Sequence, residues 1–176
     1  MTLHRRLLQQ ARILRRIQAT GQVKPYPADL LMLHMGVTPA QVLTNKSHYN
    51  QTLGRIFEGL VLSAFIDHPQ FEPIWQEPNK AQAADLVLGA DGIELKYSIA
   101  DTTPYGEKIR NRRDALIDSG LNPVALVFRD CEKAARAFKG WQLHMGDGCI
   151  DYIERRSGQT FQQLLDAHAA FLEAQP

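Results

Sequence analysis

"ADLVLGADGIELKYS", residues 84–98, decides how this chain folds. Two stretches of alternating apolar residues flank the centre Gly89-Ala90-Asp91-Gly92, the pattern of a β-hairpin with strands near 85–88 and 93–99. Side chains alternate along a strand, so Glu94 and Lys96 share one face while Ile93, Leu95 and Tyr97 take the other. A connection with an even number of residues puts Asp85 on the same face as Glu94 and Lys96. A four-residue loop at 89–92 sets Asp85 opposite Lys96 and diagonal to Glu94, about 5 Å and about 7–8 Å away. A two-residue loop at Asp91-Gly92 shifts the pairing and keeps the face. Three charges thus converge among residues suited to burial. A charge taken out of water costs several kcal/mol unless a partner or a metal compensates it.

The neighbouring segments build outward from this hairpin. "NQTLGRIFEGLVLSAFI" (50–66) repeats its apolar residues at helical spacing, with Leu53, Ile56, Phe57, Leu60, Val61 and Ala64 on one side. "FEPIWQE" (71–77) reads as an edge strand, because Pro73 has no amide to donate to a ladder. Beyond the hairpin, "GEKIRNRRDALIDSG" (106–120) is a polar, basic helix closed by Gly120. "PVALVFR" (123–129) is a nearly continuous apolar strand, as in a sheet covered on both faces. A helix at 131–139 ends at Gly140, "WQLHMGDGCIDYI" (141–153) reads as a second hairpin about Gly146-Asp147-Gly148, and a helix at 160–174 closes the chain. Helices on both sides of a mixed sheet make the class α/β.

The N-terminal part is helical by the same criteria. Leu3, Leu7, Ala11, Leu14 and Ile17 fall at helical spacing, opposite Arg5, Arg6, Arg12, Arg15 and Arg16. Lys24-Pro25-Tyr26-Pro27 breaks the chain, and 28–45 reads as a short helix, a turn at Gly36, and a second helix with Thr38 as N-cap and Pro39 behind it. At 176 residues the chain is expected to be one domain: a helical extension at 1–45, a core at 50–129 and an elaboration at 130–176. With 44% hydrophobic and 22% charged residues, it falls among globular chains rather than disordered ones. A net charge of +1 gives no bulk attraction to nucleic acid or membrane, so any such affinity comes from local clusters. Cys131 and Cys149 make neither a disulfide framework nor a zinc site and suit reduced thiols in a cytoplasmic protein. No apolar run has the length of a bilayer span, and the arginine-rich start lacks the apolar run of a secretory signal.

Two carboxylates at hairpin distance suit a hard divalent cation. Magnesium binds through one or two carboxylates, keeps several waters, and accepts phosphate oxygens in its remaining positions. A lysine beside it can orient or activate a water, because burial and neighbours tune its proton affinity. Without a cation or a partner the two acids repel, so removing either one is expected to leave folding intact or slightly improved. The plainer alternative is a half-exposed hairpin in which Lys96 pairs with Asp85 as an ordinary surface salt bridge.

The order helix, strand, strand bearing Asp, strand bearing Glu-x-Lys, helix, strand over residues 50–129 resembles the PD-(D/E)xK nuclease superfamily, the restriction-endonuclease-like fold. Ala84-Asp85 and Glu94-Leu95-Lys96 stand where that superfamily has its signature; Ala84 replaces the usual proline. The resemblance implies an Mg²⁺-dependent phosphodiesterase with Asp85 and Glu94 as metal ligands and Lys96 as the water-activating residue. It also implies an acid from the preceding helix, which Glu58 matches. The Glu-Leu-Lys form and the compact size look most like type II restriction endonucleases, which implies double-stranded DNA as substrate.

Lys108, Arg110, Arg112 and Arg113 follow the proposed active strand directly and are expected, with Tyr105, to contact DNA; Thr102 and Thr103 can reach backbone or bases. "LHMGVTPAQV" (33–42) has the look of a helix-turn-helix, though two short helices about a glycine also serve as plain packing. The leucine stripe from Leu3 to Ile17 suits a homodimer interface, and a symmetric cut through both strands calls for a two-fold assembly. The scattered histidines suggest no ligand set. The rival functions are a repair or recombination nuclease of the same fold, a non-catalytic DNA-binding protein, and an interaction module.

Overall fold

The computed structural model describes residues 28–72, 84–99 and 105–174. The expected arginine helix at 3–18, the break at 24–27, residues 73–77, Thr102 and Thr103, and the side chain of Tyr105 lie outside the described residues. The chain forms two compact units, the first ending at Ile56 and the second beginning at Phe57.

In the first unit, α1 (Leu30–His34) starts at Asp29, whose carboxylate accepts from the Met32 amide at 3.0 Å. After the turn at Gly36, α2 (Pro39–Thr44) begins with the expected Thr38 cap. Gln41 reciprocates by accepting from the Thr38 amide, and Pro39 loses nothing at a position whose amide has no intrahelical partner. Leu31, Met32 and Val42 are buried. The third helix, α3 (Lys46–Phe65), runs across the boundary into the second unit.

The second unit contains a five-stranded sheet in the order β1-β2-β3-β4-β5. These strands are β1 (Phe71–Glu72), β2 (Leu86–Leu88), β3 (Asp91–Lys96), β4 (Asn122–Val127) and β5 (Gln142–Met145). β2 runs antiparallel to both β1 and β3, β4 runs parallel to β3, and β5 runs parallel to β4. Parallel neighbours need crossovers, which α4 (Tyr105–Asp118) and α5 (Glu132–Ala137) supply; α6 (Asp147–Ser157) and α7 (Phe161–Glu173) follow. Of the expected edge strand at 71–77, the described residues Phe71 and Glu72 form β1, paired to β2.

Alternation sorts the sheet into two faces. Ala125 and Val127 of β4, with Leu143 and Met145 of β5, pack against Ile109 and Leu116 of α4, Ala134 of α5, and Phe138 and Trp141 beyond it. On the opposite face Phe128 meets Phe57 of α3, Tyr97 and Phe161 of α7, with ring centroids 5.2, 6.0 and 5.5 Å away. The strand 123–129 was read as covered on both faces, and Val124, Ala125, Leu126 and Val127 are all fully buried.

Two sequence expectations are corrected. The hairpin turn is Gly89-Ala90, not a loop at 89–92 or a turn at Asp91-Gly92, because Leu88 pairs with Asp91 and Val87 with Gly92. Gly89 supplies the positive φ, 62°, that a two-residue hairpin turn demands. Gly92 serves packing instead: a Cβ there would stand 2.4 Å from Leu116 Cδ2, so its bareness lets α4 lie close against β3. The second correction concerns 141–153, where β5 is followed by a helix rather than a hairpin. Cys149, Tyr152 and Ile153 stand at i, i+3 and i+4 and all are buried, so helical spacing prevails over the turn signal of Gly146-Asp147-Gly148.

Burial of Cys149 has a consequence for stability at high pH. It pushes the thiol from its ordinary 9.0 up to about 12. The unfolded thiol ionises first, so the stability this group contributes is intact below pH 9 and is lost toward pH 12, by about 1.4 kcal/mol per pH unit. Tyr152 on the same helix shifts in the same direction, through burial and the nearby Asp91 carboxylate. Urea unfolding across pH 8–11 should show falling stability, with a shallower decline in Cys149→Ala. The same slope in the variant would assign the alkaline loss to other groups.

Candidate active site

The two-residue turn is even, so Asp85 does share a face with Glu94 and Lys96. Extending the register Leu86↔Ile93 by one step places Asp85 directly across from Glu94 rather than across from Lys96. The Asp85 amide donates to the Ile93 carbonyl at 2.8 Å, and its Oδ2 accepts from the Leu95 amide at 2.7 Å. A main-chain donor thus holds this carboxylate in place on the ladder. Glu94 lies in the middle of β3, beside Ala125 of β4, and is 1% exposed. Lys96 folds back along the strand: its Nζ stands 2.5 Å from Glu94 Oε1, donates to the Leu95 carbonyl at 2.8 Å, and lies 3.7 Å from Asp85 Oδ2.

A fourth charge enters from α4. Leu116 packs over Gly92. Four residues back along a helix is about 6 Å, and two residues along a strand is about 6.6 Å. Arg112 therefore arrives over Glu94. Its Nη1 makes a short, charge-assisted hydrogen bond to Glu94 Oε2 and lies 3.9 Å from Asp85 Oδ1. Sequence reading assigned Arg112 to a DNA phosphate; the structure turns it inward, onto the carboxylates.

The result is a quartet of two acids and two bases, with formal charges that cancel. Neither expectation for the carboxylates holds: they are not left to repel, and Lys96 does not make a simple surface pair with Asp85. Burial alone pulls the Lys96 ammonium toward its neutral form, but Asp85 and Glu94 outweigh it, and its proton affinity is raised above the ordinary lysine value. Buried ion pairs seldom stabilise a fold more than apolar residues of the same volume would. A quartet set on the same sheet face as Ala125 and Val127 is therefore not accounted for by stability alone.

The donor set fits a hard divalent cation. Arg112 Nη1 occupies a position that both Glu94 Oε2 and Asp85 Oδ1 face, so one positive charge already sits between the two carboxylates. Among the described residues no group of three or more histidines, cysteines and acids is placed to hold a metal. Glu58, half-buried on α3, accordingly does not complete a trio with Asp85 and Glu94. Two carboxylates completed by water and phosphate oxygens are a donor set that suits magnesium better than an all-protein cage does.

The remaining predicted contacts lie along α4. Lys108 and Arg110 are exposed, and Arg110 Nε donates to the Gly106 carbonyl at 3.1 Å. Arg113 is engaged on the protein itself: Nε and Nη2 donate to Asp114 Oδ1 at 2.9 and 2.7 Å, and Nη1 to the Lys139 carbonyl at 3.0 Å. A second polar cluster went unread in the sequence. Asp91 accepts from Asn122 Nδ2 at 3.2 Å and from the Tyr152 hydroxyl at 3.0 Å, and Arg156 Nη2 lies 3.4 Å away. Arg156 also donates to the Leu88 carbonyl at 3.2 Å, so the cluster ties α6 to the hairpin on the sheet face opposite the quartet.

No family model, curated protein or solved structure matches the chain. No described helix is long and apolar enough to cross a membrane.

Proposed function

We propose that the chain is a metal-dependent phosphodiesterase with a restriction-endonuclease-like fold. More particularly, it is an Mg²⁺-dependent endonuclease acting on double-stranded DNA, in the manner of a type II restriction enzyme. The observation that carries this reading is the convergence of Asp85, Glu94 and Lys96 on one sheet face, with Glu94 1% exposed and both carboxylates facing one cation position.

In this reading Asp85 and Glu94 hold the metal, each already fixed by its strand. A cation held there would supply Lewis-acid polarisation of the scissile phosphate and would offset the charge developing on it. Lys96, held against the Glu94 carboxylate and the Leu95 carbonyl, directs an N–H toward the water that attacks in line with the leaving oxygen. Lys108 and Arg110 on the exposed side of α4 contribute phosphate contacts beside the site. A homodimer built through residues 1–45 would let two such sites cut opposite strands.

The test is incubation of the purified protein with supercoiled plasmid and Mg²⁺, followed by sequencing of any ends. Mg²⁺-dependent nicking or linearisation is expected. Discrete ends support restriction, and a smear supports a repair or recombination nuclease. Intact plasmid at millimolar Mg²⁺, with DNA binding retained, would leave a non-catalytic DNA-binding protein as the better reading.

A further inference from the structure

We propose that Arg112 is a built-in counter-cation for the Asp85–Glu94 pair, which a divalent metal must displace in order to bind. The inference rests on the metal-site reading above and goes beyond it, since it gives Arg112 a role that neither a phosphate contact nor a structural ion pair would have. Three observations carry it.

Arg112 Nη1 reaches both carboxylates, with a short bond to Glu94 Oε2 and 3.9 Å to Asp85 Oδ1. A divalent cation held by the same two carboxylates would compete with the guanidinium for them. Lys96 leaves those two oxygens open: it approaches Glu94 through the other oxygen, Oε1, and Asp85 through Oδ2. The lysine and the metal are thus compatible, while the arginine and the metal are not. Finally, the Arg112 side chain is 20% exposed, so it has a route outward, whereas Glu94 at 2% has none. Lys96 and Asp85, at 22% and 24%, are as exposed as the guanidinium, so its position between the two carboxylates, and not exposure alone, marks it as the group to leave.

Displacement exchanges one cation for another, so the buried carboxylates are never left unpaired. It also delivers five N–H donors to the rim of the site, where a phosphate bound to the metal presents its oxygens. Arg112 thereby lowers the metal affinity of the protein alone and makes a phosphate contact conditional on metal.

The experiment is calorimetric titration of the full chain with MgCl₂, without DNA. Removing the competing charge in Arg112→Met should tighten Mg²⁺ binding by about tenfold or more, since a charge some 4 Å away is worth several kcal/mol even at a high effective dielectric constant. Arg112→Lys keeps the charge and should stay within about threefold of the parent, as should Arg113→Met, whose charge lies off the carboxylates. Should Arg112→Met fail to fold, the parent protein still decides the matter by NMR. Saturating Mg²⁺ should shift the side-chain Nε–H resonance of Arg112 and leave that of Arg113 in place. Equal Mg²⁺ affinity in the parent and Arg112→Met, or an Arg112 resonance unmoved at saturation, overturns the displacement while the metal site stands. Absence of Mg²⁺ binding in every variant overturns both.

Discussion

Glu94→Ala should destabilise the protein by about 3–5 kcal/mol and eliminate Mg²⁺-dependent cleavage. The carboxylate is the hub of the quartet: Oε1 faces Lys96 Nζ at 2.5 Å and Oε2 accepts from Arg112. Removing it strands two cations whose side chains are only 22% and 20% exposed, with Asp85 at 3.7 and 3.9 Å as the remaining anion. Viewed as two acids alone, the site predicts relief of repulsion on deleting one of them; the buried bases reverse that sign. Asp85→Ala should cost less, about 1–3 kcal/mol, because the main loss is the acceptor for the Leu95 amide. Urea unfolding at pH 7 measures both. A cost below about 1 kcal/mol for Glu94→Ala would mean the quartet behaves like a surface pair, and its claim to be a constructed site would fall.

The face of the hairpin was legible because it depends on parity alone. Any even turn brings Asp85 to Glu94 and Lys96. The register was not, because two turn signals overlap in Gly-Ala-Asp-Gly, and the choice between them is made by distant residues. Leu116 needs Gly92 bare beneath it, and Tyr152 and Asn122 hold Asp91 in the strand. The same dependence hid Arg112. On sequence it is one of four cations on a polar helix, and only the seating of Leu116 on Gly92 directs it to Glu94 rather than outward. The helix at Asp147–Ser157 was missed for a different reason. Gly146-Asp147-Gly148 reads as a hairpin turn and the apolar run after it is short, while burial of Cys149, Tyr152 and Ile153 on one side selects the helix. Local chemistry was readable where a short-range rule decides it, and not where packing between elements does.

Lys96→Met should reduce the Mg²⁺-dependent cleavage rate by about 10²–10⁴-fold while tightening Mg²⁺ binding, since its ammonium also lies against the two carboxylates. The split follows from which atoms the lysine touches. It approaches Glu94 Oε1 and the Leu95 carbonyl, not the carboxylate oxygens that face Arg112, so its removal leaves the cation position whole. Methionine keeps the apolar stem beside the strand and deletes only the ammonium. Folding should suffer less than in Glu94→Ala, because Arg112 remains on Glu94 and no buried charge is left without a partner. On the proposed mechanism the lost N–H is the one that positions the attacking water, so its removal acts on the chemical step. Single-turnover nicking at saturating Mg²⁺, beside a calorimetric Mg²⁺ titration of the same variant, separates the outcomes. Slow cleavage with parental or tighter Mg²⁺ affinity assigns Lys96 to the water. Slow cleavage with weakened affinity would make it part of the metal site. Cleavage at the parental rate would reduce Lys96 to a counter-charge for Glu94 and remove it from the chemistry.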